Sequence, residues 1–259
     1  MKSNYSILAG LAALAGFLPA AQAAIDLGSA NDFAVLGAST VTSTGNTVVN
    51  GDLGISPGTA ITGFGPGLVN GQTYYGDTIA AQAQIDALAA YTQILALAPA
   101  QSLTGDDLGG LILTPGIYDF ASSALLTGRL TLNGQGNPNA QFIFQIGSTL
   151  TTASSASVVF ENGASAGGLD WQVGSSATLG TGTAFAGNLL ADQSITMNTG
   201  ASLTGRALAL HGAVSLDNNA ITITGTPEPG SLLSAGLCAA LGLGWWYRAR
   251  RVAPRAAGH

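Results

Sequence analysis

Charged side chains are scarce in this chain, at 8% of residues against about 25% in an ordinary domain. Lysine occurs once, as Lys2, and Arg248, Arg250, Arg251 and Arg255 crowd the C-terminal end. Residues 24–225 therefore keep only Arg129 and Arg206 against twelve acidic side chains, a net charge of −10. So acidic a body repels phosphate backbones, which excludes a nucleic acid as partner. Cysteine also occurs once, as Cys238 inside the C-terminal apolar run, so no disulfide framework exists and stability must come from packing and backbone ladders. Of two histidines only His211 lies in the body, at a turn before Gly212, with neither a nucleophile nor a metal partner near it in sequence. Asp106-Asp107 reads as a solvated turn, the oxygens of Asp217-Asn218-Asn219 as a turn shaped by backbone needs, and Gly63 to Gly71 lacks the lysine of a phosphate loop. No catalytic set, metal site or cofactor motif emerges; the expectation is a protein that is not an enzyme.

Long apolar runs are missing as well, and the two shorter ones lie at the ends. The first, Ile7 to Leu18, follows Lys2 and precedes Pro19 and the small-residue triplet Ala21-Gln22-Ala23. It is too short for the roughly 20 residues that span a bilayer and has the order of a secretory signal peptide cut after Ala23, giving residues 1–23 as leader. The second, Leu232 to Tyr247, lies between Pro227-Glu228-Pro229 and the basic cluster Arg248, Arg250 and Arg251. Apolar helix followed by arginines is a stop-transfer arrangement with the arginines on the cytoplasmic side. Pro-Glu-Pro, apolar segment and terminal arginines in this order resemble the PEP-CTERM sorting signal, which places residues 226–259 in a processed tail with a transmembrane segment at 232–247. The resemblance implies recognition by an exosortase, after signal peptidase has acted, and delivery to the cell surface or the extracellular matrix.

Between these ends the sequence repeats. Thr181-Gly182-Thr183-Ala184 stands 18 residues before Thr199-Gly200-Ala201-Ser202, and Asp217-Asn218-Asn219-Ala220 follows at 18 more. Ser154-Ser155-Ala156-Ser157 fits with a loop inserted around Gly163 to Leu169, and Thr44-Gly45-Asn46-Thr47 has the same shape. A repeat of about 18 residues holds three short strands joined by tight turns, the unit of a β-solenoid. Phe185, Leu203 and Ile221 are expected to point inward and stack, with their neighbours pointing out. From about 77 to 97 the chain turns Ala-rich, with Ala81, Ile85, Leu88, Thr92 and Leu95 at helical spacing, Asp77 or Thr78 to cap and Pro99 to stop it. That predicts a helix whose apolar stripe packs along one side of the solenoid.

The body from Asp26 to about Thr224 resembles the ice-binding-like family. Leu27-Gly28-Ser29-Ala30-Asn31-Asp32-Phe33-Ala34-Val35-Leu36, Gly51-Asp52-Leu53-Gly54-Ile55-Ser56-Pro57-Gly58, Leu113-Thr114-Pro115-Gly116-Ile117-Tyr118, Phe142-Ile143-Phe144-Gln145-Ile146 and Trp171-Gln172-Val173-Gly174 carry the resemblance. It implies a mainly β fold, a right-handed discontinuous β-solenoid of triangular coils with one long helix alongside, over residues 24–225. It also implies an ice crystal surface as partner, met by a flat face on which a Thr-Gly/Ala-x-Thr/Asn motif recurs. Here those positions are Thr44 and Thr47, Ser154 and Ser157, Thr181 and Ala184, Thr199 and Ser202, and Asp217 and Ala220, widened by Ala186, Thr204 and Thr222. Ala184 and Ala220 replace hydroxyls and Asp217 brings a charge to the edge.

Physical chemistry supports the same expectation. β-Branched Thr side chains on strands about 4.8 Å apart form a lattice of fixed methyls and hydroxyls, and preorganisation lowers the ordering cost of adsorption. A second reading is a non-catalytic structural or adhesive protein of the cell envelope that meets exopolysaccharide through the same solenoid. A carbohydrate-cleaving β-helix would need clustered carboxylates on one face, and the sequence has none. A monomer is expected, exported and held at the envelope or released.

Overall fold

The computed structural model describes residues 24–224. The leader 1–23, residue 225 and the tail 226–259 with its apolar segment 232–247 lie outside the described residues. Among the described residues no helix is long and apolar enough to cross a membrane.

The body is mainly β, with one α-helix, and the strands pair in parallel. Three ladders are visited in rotation. The first stacks Thr73–Tyr75, Asp52–Ile55, Phe33–Gly37, the second half of Ser202–Ala209, the second half of Ala184–Ala191, Leu169–Val173, Phe142–Ile146, Gly116–Phe120 and Gln101–Ser102. The second is a separate seven-stranded sheet: Ala60–Thr62, Thr40–Thr44, Val214–Asp217, Ile195–Met197, Ala177–Leu179, Leu150–Thr152 and Ala124–Leu126. The third runs from Leu68–Asn70 through Val48–Asn50, Ala220–Thr222 and the first halves of Ser202–Ala209 and Ala184–Ala191 to Ser157–Glu161, Arg129–Asn133 and Ile112–Leu113.

Local chemistry explains the rotation. Partners 18 residues apart, such as Ala184 with Ser202 and Ser202 with Ala220, sit in register, as the sequence repeat requires. The turn from second to third ladder has a positive φ at Ser155, Gly182, Gly200, Asn218 and Gly45, a conformation that Gly and Asn adopt at low cost. The two eight-residue strands pass from third to first ladder at Gly187 and Gly205; a Cβ on Gly205 would lie 2.0 Å from the Gly187 carbonyl oxygen.

Stacking order differs from chain order. The N-terminal strand Phe33–Gly37 pairs with Ser202–Ala209, and Val41 and Val48 pair with Val214 and Ala220, so the first strands lie on the last repeat. The helix Thr78–Leu95 then carries the chain to the opposite end, where Gln101–Ser102 pairs with Gly116–Phe120. Asp77 caps it, its Oδ1 accepting from Ile79 N–H at 3.1 Å and Ala80 N–H at 2.9 Å.

The helix covers the first ladder with a face other than the expected one. Ala80, Ala83, Ala87, Ala90, Tyr91 and Ile94 are buried against Phe33, Leu36, Ile143, Leu190 and Leu208, whereas Ile85, Leu88 and Leu95 of the expected stripe are exposed. Alanine methyls let the helix backbone lie close over a flat ladder whose own side chains supply the bulk, and larger residues at those positions would hold it away.

Inside the three ladders, side chains stack from repeat to repeat. Phe185, Leu203 and Ile221 are buried there in register, and Trp171 lies between Phe144 and Phe185 at centroid distances of 4.1 and 4.9 Å. Trp171 Nε1–H donates to the Ala186 carbonyl at 2.9 Å. One polar cluster is buried on the helix side: Arg206 donates to Asn188 Oδ1 at 2.9 Å, to Asn31 O and Oδ1 at 2.8 Å each, and to Thr224 O at 3.1 Å. Asn188 Nδ2 in turn donates to Asp170 Oδ1 at 2.9 Å, and burial pushes the Asp170 carboxyl up to about 7. This cluster ties the first described turn of the chain to the last described residue.

Candidate functional site

The helix occupies the first ladder, so an extended flat surface must come from the other two. The second is continuous. Its middle outward positions are in register as Leu125, Thr151, Thr178, Thr196, Ser215, Thr42 and Thr62. Every member is half-buried or exposed, while the residues on either side of each point inward and are mostly fully buried. Two residues earlier a second file runs Ser123, Thr149, Ser176, Ser194, Ala213, Thr40 and Ala60. Its members bind across repeats: Thr149 Oγ1 donates to Ser123 Oγ at 2.8 Å, and Ser194 Oγ accepts from Ala213 N–H at 3.1 Å.

A third file borders this ladder at the turn into the next. Ser154, Thr181, Thr199, Asp217 and Thr44 stack there; Thr181, Thr199, Asp217 and Thr44 accept through their carbonyls from the N–H groups of Ser155, Gly182, Gly200 and Asn218 at 2.8 to 3.0 Å. The surface thus consists of small hydroxyl and methyl groups fixed by a backbone lattice. Asp217 is its one charged member; hydrogen bonds from the Thr199 and Thr44 hydroxyls hold its carboxyl below the usual carboxylate range.

The third ladder is interrupted. Ala184, Ser202 and Ala220 continue outward into Val48 and Leu68, and Thr204 and Thr222 into Asn50 and Asn70. Asn70 donates to Asn50 at 2.7 Å and Asn50 to Thr222 at 2.9 Å. Beyond Ala184 the ladder breaks. Ser157 is the single position of Ser157–Glu161 that pairs with Ala184–Ala191, and the turn Ala166–Gly168 packs there.

The expected site residues therefore divide. Thr44, Ser154, Thr181 and Thr199 are exposed along the corner file. Ser157, Ala184, Ser202, Thr204, Ala220 and Thr222 lie round the corner on the third ladder. Thr47 and Ala186 are buried, at 0% and 3% exposure. Thr47 Oγ1 accepts from the Asn219 N–H inside the turn: Thr44 pairs with Asp217 but Val48 with Ala220, so this corner holds one residue more and Thr47 falls beside the buried third motif position, Asn219. The middle file escaped sequence reasoning although its signal is present: Thr178 and Thr196 repeat at 18 residues, each three residues before a corner threonine.

The ice-binding-like family matches residues 35–222 of this chain. An ice-binding protein of Nostoc sp. (strain HG1) is 54% identical over 222 residues, covering 85% of this chain and 82% of that one. Among solved structures, an ice binding protein from an Antarctic Biological Consortium superposes with a TM-score of 0.76 at 47% identity, over 78% of this chain and 92% of that chain. An ice-binding protein from the Antarctic ascomycete Antarctomyces psychrotrophicus also gives 0.76, at 40% identity, over 78% and 100% respectively.

Proposed function

The chain belongs to the ice-binding-like family, and from that premise we propose that it adsorbs to ice through the uncovered seven-stranded ladder. One observation carries the choice of surface: the unbroken file from Leu125 to Thr62, hydroxyl-bearing in all positions but Leu125 and flanked on both sides by small residues. Methyl groups there order adjacent water while hydroxyls anchor it, and the lattice pays little ordering cost on binding because its backbone is already fixed. Thr44, Ser154, Thr181 and Thr199 border this surface, and Ser157, Ala184, Ser202, Thr204, Ala220 and Thr222 form its flank.

The fold is read on the same footing as a right-handed discontinuous β-solenoid of triangular coils. Adsorption to a crystal is a non-catalytic act; its consequences are growth inhibition, slower recrystallisation and retention of the protein at ice. Export, cleavage after Ala23 and exosortase handling at Pro227-Glu228-Pro229 are supported by the order of the terminal segments, and on this reading the protein works at the cell envelope or surface or is released outside. Thermal hysteresis and recrystallisation assays on the purified protein test the proposal. Activity at micromolar concentrations is the expected outcome; a folded protein without either activity refutes it and leaves the matrix or adhesive role.

A further inference from the structure

Asp217 stands where the corner file has a hydroxyl in each neighbouring repeat. Free carboxylates impose their own hydration, so a charge at this place would be expected to disturb an adsorbing lattice. Here each carboxylate oxygen already has a protein partner. Thr44 Oγ1 donates to Oδ1 at 2.9 Å from one neighbouring repeat, and the Thr199 hydroxyl donates to Oδ2 from the other.

Asp217 itself is held in place. Its N–H donates to Asn219 Oδ1 at 2.6 Å, and its carbonyl accepts from Gly200 N–H at 3.0 Å. Asn219 is buried, with its amide donating to the Asn198 and Ala201 carbonyls at 2.9 Å each. A buried amide thus fixes the backbone of Asp217, whose carboxylate holds two threonines. A hydroxyl has one proton to give, and both threonines give theirs along the file, so their oxygens meet solvent as acceptors with the methyls set.

We propose that Asp217 is a positioning residue of the adsorbing surface, orienting the Thr44 and Thr199 hydroxyls that border it. This inference rests on the reading of that surface as ice-binding. Ordinary Thr hydroxyls turn freely and present donor or acceptor indifferently, whereas this arrangement fixes three consecutive repeats of the file in one polarity. The groups facing the carboxylate are the Thr199 and Thr44 hydroxyls, with Asn219 on the Asp217 backbone N–H, and none of them titrates in the acid range. Protonation is therefore the event that breaks the pattern, since a proton on one oxygen weakens it as the acceptor of its threonine.

The test follows thermal hysteresis of the full chain as pH falls from neutral through the carboxylate range, for wild type, Asp217→Asn, Asp217→Ala and the control Asp192→Asn. Circular dichroism at each pH monitors folding. Wild type and Asp192→Asn should lose roughly threefold or more on acidification, the effect of about one hydrogen bond. Asp217→Asn and Asp217→Ala should start low at neutral pH and stay flat. Slowly exchanging hydroxyl protons of Thr44 and Thr199, seen by NMR at neutral pH, should vanish in Asp217→Ala. An active wild type with a flat profile, or an Asp217→Ala variant with wild-type activity, overturns the role of Asp217 alone. A folded wild type without hysteresis at any pH instead overturns the reading of the surface.

Discussion

Thr196→Tyr discriminates between the two uncovered ladders. Thr196 is the fourth of seven positions in the middle file, between Thr178 and Ser215. Six strand spacings of about 4.8 Å give the file a length of roughly 29 Å, and outward files two residues apart are separated by about 6.6 Å. The two seven-member files offer a strip of roughly 29 by 7 Å on this spacing, and the five-member corner file widens it along about 19 Å. A tyrosine at its centre, carrying on the order of 150 Å² or more of side-chain surface, stands above methyls and hydroxyls on every side. It divides the file into three positions below and three above, so the largest flat piece left is under half of the original. Rigid crystals cannot yield around such an obstacle, and thermal hysteresis is expected to fall by at least half. The outward, half-buried position of Thr196 makes the substitution nearly neutral for stability. Thr204→Tyr, which places the same bulk on the third ladder, should keep most of the activity. Both variants should melt with the wild type by circular dichroism. The opposite pattern, with Thr196→Tyr active and Thr204→Tyr inactive, would refute the assignment and move the adsorbing surface to the third ladder.

Three further outcomes follow from the interior. Trp171→Ala removes the ring between Phe144 and Phe185 and leaves the Ala186 carbonyl without its donor; chemical denaturation should show a loss of about 3–5 kcal/mol. Arg206→Met strips four hydrogen bonds from Asn31, Asn188 and Thr224 and should cost about 3–5 kcal/mol in the same assay, since buried partners are left unpaired; an unchanged denaturation midpoint would show that the cluster does not hold Asn31 to Thr224. The Asp170 carboxyl, raised to about 7 by burial, favours the fold in its neutral form. Its contribution is therefore complete below about pH 4 and lost as pH rises through about 7. Urea midpoints of the wild type should fall across that window, and Asp170→Asn, which keeps an acceptor for Asn188, should flatten the fall.

Much of the ladder arrangement was legible because it depends on local chemistry. Short alternating strands, glycine or asparagine at the corners and a register of 18 residues are written along the chain, and Phe185, Leu203 and Ile221 stack as their spacing requires. The helix was legible for a similar reason, since Asp77 and Pro99 frame it. Its buried face was not. Helical spacing marks Ile85, Leu88 and Leu95 as well as it marks Ala83, Ala87 and Ala90, and the choice falls to the shape of the ladder opposite.

The candidate site divides along the same line. Corner threonines announce themselves by repetition with a glycine beside them, yet repetition says only that residues stack, not which way they face. Thr47 shares the motif with Thr44 and is buried, because its corner holds one residue more and Val48 takes the place opposite Ala220. The sequence by itself determined the period, the strand type, the absence of disulfides and the low charge of the surface, for each of these is a property of neighbours or of composition. Only the tertiary structure decided that the N-terminal strands lie on the last repeat, that the helix closes one ladder and the inserted turn breaks another. One ladder is thereby left flat and open, because burial is settled by whatever the chain brings back from far away.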